Sequence, residues 1–117
     1  MSEEGSIASE RQKVTERARA GSPADAAYLI GDYNRRRFIY KEERVSLQEV
    51  LPDLSQTQIE MLERKANALF ADEGYFGEKH WTGRSLEEIY KEMQQRHPGF
   101  SQEAYSLALD RGIFATR

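Results

Sequence analysis

SLQEVLPDLSQTQIEMLERKANALF, residues 46–70, holds two helix starts separated by a proline. Ser46 and Ser55 are each followed three residues on by Glu49 or Gln58, side chains able to reach back to the serine's own backbone N–H. The serine hydroxyl takes the N–H of that third residue in return, so two orphan donors of a helix start are satisfied reciprocally. Pro52 ends the first helix after about one turn, because the residue before a proline is pushed out of the helical region. From Ser55 the apolar residues Ile59, Leu62, Ala66, Leu69 and Phe70 recur at helical spacing, with charged residues between them. The stretch reads as a short helix, a tight turn and a longer amphipathic helix.

The same punctuation runs outward in both directions. Ser22-x-x-Asp25 and Ser85-x-x-Glu88 repeat the box, with Pro23 at the first helical position, where its fixed φ is suited. Ser101 is a further cap without the box. The predicted stops are Gly21 for a first helix from about Ser6 to Ala20, Gly74, Pro98-Gly99 and Gly112, the last leaving Ile113 and Phe114 to fold back on the core. Leu86, Ile89, Tyr90 and Met93 form one apolar stripe, and Tyr105, Ala108 and Leu109 another. Ala26, Ala27, Leu29, Ile30 and Tyr33 are apolar almost all round, which predicts a central helix that bends or ends near Asn34 and continues through Phe38-Ile39-Tyr40. Gly74 to Gly83 is glycine-punctuated and aromatic and reads as a loop, with Gly77-Glu78 able to turn a tiny β-hairpin over 75–81. The fold expected is all-α: a compact bundle of five or six short helices over residues 22–117, with residues 1–21 a helix or mobile arm able to dock on a second copy.

Composition narrows function more by exclusion. The 117 residues include no cysteine, so disulfides, thiolate metal sites and a cysteine nucleophile are ruled out. Met1–Gly5 is acidic and lacks the apolar core of a secretory signal, no apolar run approaches a membrane span, and the expectation is a cytoplasmic protein. His80 and His97 lack further ligands at metal-binding spacing, and no metal or cofactor site is expected. The prominent serines already serve as caps, and the carboxylate pairs Glu42-Glu43, Asp72-Glu73 and Glu87-Glu88 are neighbours that do not face one another on a helix. No catalytic residue is assigned, and a small enzyme ranks third among the readings.

Charge and aromatics supply the other two. Net charge is −3, and residues 51–78 hold six acids against Arg64 and Lys65, which favours a basic partner. Leading is a non-catalytic interaction or regulatory module binding a macromolecule, a protein above all, through Tyr75, Lys79, His80, Trp81 and Arg84, since aromatic and arginine anchors dominate interface energetics. Second is a DNA-binding protein, because residues 46–71 have helix-turn-helix spacing and a wing could follow at 75–84. There Gln56, Thr57, Gln58 and Arg64 would lie near base edges, and Arg35, Arg36 and Arg37 would grip phosphates. Glu60 and Glu63 on the recognition helix oppose it. The bland account of the arginine run is a solvated face neutralised by Asp32, Glu42 and Glu43.

Overall fold

Each helix in the computed structural model, which describes residues 8–117, begins on a serine. α1 (Glu10–Ala20) follows Ser9, α2 (Pro23–Tyr40) Ser22, α3 (Leu47–Val50) Ser46, α4 (Gln56–Trp81) Ser55, α5 (Leu86–Arg96) Ser85 and α6 (Gln102–Thr116) Ser101. All six hydroxyls accept a backbone N–H from the third residue on, and the box is reciprocal at Ser46, Ser55 and Ser85. Asp25 does not reach back to Ser22. Its carboxylate accepts the Ser101 amide instead at 2.9 Å, tying the start of α2 to the start of α6. The expected all-α bundle is thereby observed among the described residues.

Two expected stops are overrun. α4 does not close at Gly74 but continues to Trp81, so the loop over 74–83 and the hairpin over 75–81 are absent. The reason is packing. The stripe Ala66, Leu69, Glu73, Phe76 and Gly77 stays buried along one face, so burial carries the helix through its glycines. α6 likewise runs past Gly112 to Thr116. Gly77 and Gly112 sit where the two helices meet: a Cβ built on Gly77 would overlap the Gly112 carbonyl, and one on Gly112 would overlap the carbonyl of Glu73. These glycines permit backbone contact rather than ending helices. α1 starts at Glu10, later than expected; Ser6 and Ile7 lie outside the described residues. Ile113 packs against the core as expected, while Phe114 stays 64% exposed.

The core joins all the longer helices. Tyr28, Leu69, Phe76, Ile89, Met93 and Leu109 are its largest fully buried side chains. α2 is buried from Ala24 to Ile30 and continues as helix through Asn34, whose side chain clamps the amide and carbonyl of Val45, both at 2.8 Å. α4 and α6 run in the same sense, since Lys65 lies over Phe100 near one end and Trp81 meets Thr116 at the other. α5 runs back along α4, held by Asp72 to Arg96 and His97 and by Tyr75 to Glu92. α1 is docked rather than loose: Val14 and Ala18 are buried, and Arg11 and Arg17 pair with Glu49 and Glu103. Among the described residues no helix is long and apolar enough to cross a membrane.

Candidate functional site

Two concave surfaces flank the C-terminal half of α2, and helical spacing decides which side chains each receives. Asp32, Arg35, Arg36 and Ile39 follow the i, i+3, i+4, i+7 stripe and face α6 across a cleft of about 580 Å³. From the α6 side come Asp110, Arg111 and Phe114, and Glu73 of α4 forms part of the wall. Both oxygens of buried Asp32 are taken by Arg111, which donates Nε and Nη2 at 3.0 Å each. The Tyr28 hydroxyl donates to Glu73 Oε2 at 2.6 Å. Burial pushes the Glu73 carboxyl above the ordinary carboxylate range, against the lowering effects of the Tyr28 hydrogen bond and the Arg35 charge. Burial, then the Glu73 charge and hydrogen bond, push the Tyr28 phenol far above its usual range. Arg35 lies over the Phe70 ring, 4.4 Å from its centroid, and the Nε of Arg36 is buried without a hydrogen-bond partner.

The second surface is basic. Asn34, Arg37, Phe38, Lys41 and Arg44, with Arg35 on the shared edge, line a groove of about 510 Å³. α2 ends on Lys41 in the left-handed region (φ 57°), which turns the chain so that Arg44 returns beside Asn34. Among the described residues none of Arg35, Arg36, Arg37, Lys41 and Arg44 makes an ion pair. This corrects the expectation that Asp32 and Glu42 neutralise the run. Asp32 belongs to Arg111, and Glu42 Oε1 accepts the Arg11 amide at 2.6 Å with the Tyr33 hydroxyl 3.3 Å away. Phe38, 73% exposed, stands at the same groove.

The residues singled out at 75–84 divide into two sets. Tyr75 donates to Glu92 at 2.6 Å beneath the Arg96 guanidinium, Lys79 lies 4.9 Å from the Tyr75 ring centroid, and Arg84 pairs with Glu92 at 3.0 Å. Tyr75 and Arg84 tie α5 to the end of α4, while the Lys79 contact stays within α4. His80 lies edge-on to Trp81, which is 53% exposed and donates its ring N–H to Thr116 at 3.1 Å. Trp81 is therefore a surface residue with one flank open. At the start of α4, Gln56 and Thr57 are exposed, while Gln58 is consumed by the box with Ser55. Arg64 is exposed on α4, but the wing that would accompany it is helix. His97 caps α5 as expected of a residue at a helix end, and its ring bonds Asp72 at 2.6 Å.

Half of the acidic segment is also engaged within the fold. Asp72 meets Arg96 and His97, Glu73 meets Tyr28, and Glu60 accepts from Gln56. Among the described residues no three His, Asp or Glu side chains are grouped to hold a metal ion. No family model matches the chain, and no curated protein or solved structure does. Sequence reasoning missed Tyr28, Glu73 and Arg111, because residues 79 apart such as Asp32 and Arg111 declare nothing by spacing. The stripe from Asp32 to Ile39 was the available signal.

Proposed function

We propose that the chain is a non-catalytic, cytosolic interaction module that docks a protein partner on the basic groove at the end of α2. The observation carrying this reading is that Arg37, Lys41 and Arg44 share a groove with exposed Phe38 while making no ion pair among the described residues. Uncompensated cations beside an aromatic suit a partner that presents acids around an apolar anchor, because charge steers encounter and the desolvated aromatic supplies affinity. The unpaired cations outweigh the acidic α4 face, so an acidic partner fits better than the basic one first expected. Glu42 in the groove wall and the nearby α4 acids Glu60 and Glu63 favour protein over a nucleic-acid backbone, whose affinity depends on cationic neutralisation. Catalysis ranks lower because the cleft carboxylates Asp32 and Glu73 are already committed to Arg111 and Tyr28.

The test is affinity capture from lysate with and without nuclease, comparing the native chain with Arg37→Glu/Lys41→Glu/Arg44→Glu. A captured protein that survives nuclease, weakens with salt and is lost on charge reversal supports the reading. Capture that disappears with nuclease transfers the groove to nucleic acid. A partner indifferent to the charge reversal removes the groove from consideration and leaves the open flank of Trp81 as the next surface.

A further inference from the structure

The cleft between α2 and α6 is separate from the basic groove in all but Arg35, and its chemistry is different. Two of its three acids are spoken for. Asp32 is neutralised by a two-pronged bond to Arg111, and Glu73 receives the Tyr28 hydroxyl while burial favours its protonated form. What remains facing the space is the pair Arg35 and Arg36 beside the exposed Asp110. Beside this charge stand Ile39 and Phe114, 53% and 64% exposed, on opposite helices at the same cleft. The volume, about 580 Å³, falls within the range of sites that hold small molecules.

We propose that this cleft binds a small organic monocarboxylate, its anionic head on Arg35 and Arg36 and its short apolar body between Ile39 and Phe114. A guanidinium meets a planar carboxylate with two parallel N–H donors, which an ammonium does not. A dianion such as phosphate fits less well, because the three arginines of the cleft are matched by Asp32, Glu73 and Asp110. The apolar body supplies the remaining affinity by covering exposed hydrocarbon.

The probes are octanoate, inorganic phosphate and octylammonium, each titrated into the full chain and followed by amide chemical shifts and melting temperature. Octanoate is expected to saturate, moving resonances of Arg36, Ile39 and Phe114 and raising the melting temperature, while phosphate and octylammonium do neither. Arg36→Gln should weaken octanoate roughly tenfold or more, the scale of a lost charge-assisted hydrogen bond. Ile39→Ser/Phe114→Ser tests the apolar half and should weaken octanoate while leaving the fold intact. Equal responses to octanoate and octylammonium would reduce the cleft to a greasy surface and overturn the proposal. So would a phosphate response without an octanoate response, or octanoate binding unchanged by Arg36→Gln. Because Arg37, Lys41 and Arg44 take no part, failure here leaves the docking groove untouched, and loss of the groove leaves this site standing.

Discussion

α6 meets its neighbours in two opposite ways within a few residues. Against α4 it offers Gly112, and the backbones touch where Gly77 and Glu73 pass. Against α2 it offers Arg111 and Phe114, and the helices enclose a charged, open cleft. Both contacts hold the same helix, yet one is a dry seam and the other a solvated trough. Closeness here is set by what the side chains remove. Glycine removes everything beyond Cα and lets dispersion act between backbones, while arginine and aspartate keep the helices apart and must be paired in return.

The seam breaks most severely. Gly112→Ala sets a methyl against the Glu73 carbonyl, and since the carbonyl is helix backbone and Cβ is fixed by the backbone that carries it, neither can rotate away. Urea unfolding should show a loss of about 3 kcal/mol or more, the upper end for overpacking. A loss below about 1 kcal/mol would mean the helices separate easily and the seam is not rigid. Arg111→Gln comes next. It leaves Asp32 charged with its partner gone, and because the arginine is partly exposed the loss should be about 2 kcal/mol, short of a fully buried pair.

Glu73 lies where seam and cleft meet, and its effect is smaller and opposite in sign. Its carboxyl is pushed above the ordinary value of 4.5, so the folded state holds that proton more tightly than the unfolded chain. Its stabilising contribution is therefore greatest in acid and is lost as pH rises through the raised folded value. Glu73→Gln keeps an acceptor for Tyr28 without the charge. The variant should exceed the native chain by on the order of 1 kcal/mol at neutral pH, with the gap closing towards pH 4. Glu49 and Glu92 are lowered and act the other way, losing their contribution as pH falls, so the difference between the two chains is the quantity to follow. A gap that widens in acid would reverse the assignment.

Local grammar was legible and long-range pairing was not. Ser22, Ser46, Ser55, Ser85 and Ser101 all cap helices as read, because a cap is closed within four residues. Gly74 and Gly112 misled, since a glycine that ends a helix and one that admits another backbone look alike until the partner is known. The buried stripe from Ala66 through Leu69 to Phe76 could have corrected Gly74, because its period does not break there. For the arginine run the nearby acids suggested neutralisation, but Asp32 and Glu42 found partners on α6 and α1 instead. Only the fold releases the cations.

The mildest test acts on the cleft rim alone. Phe114 is as apolar as Phe76, yet Phe76 is fully buried and Phe114 is 64% exposed with Arg117 over its ring at 4.1 Å. Burial, not residue type, sets the hydrophobic contribution, so Phe114→Ser should change stability by no more than about 0.5 kcal/mol. Phe76→Ala should lose about 3–5 kcal/mol on the same measurement, as large core truncations do. If Phe114→Ser loses several kcal/mol with an unchanged denaturant slope, the rim is closed in solution and the trough is a second seam. If the loss is small, α6 is held by its glycine side and its phenylalanine is left facing the cleft.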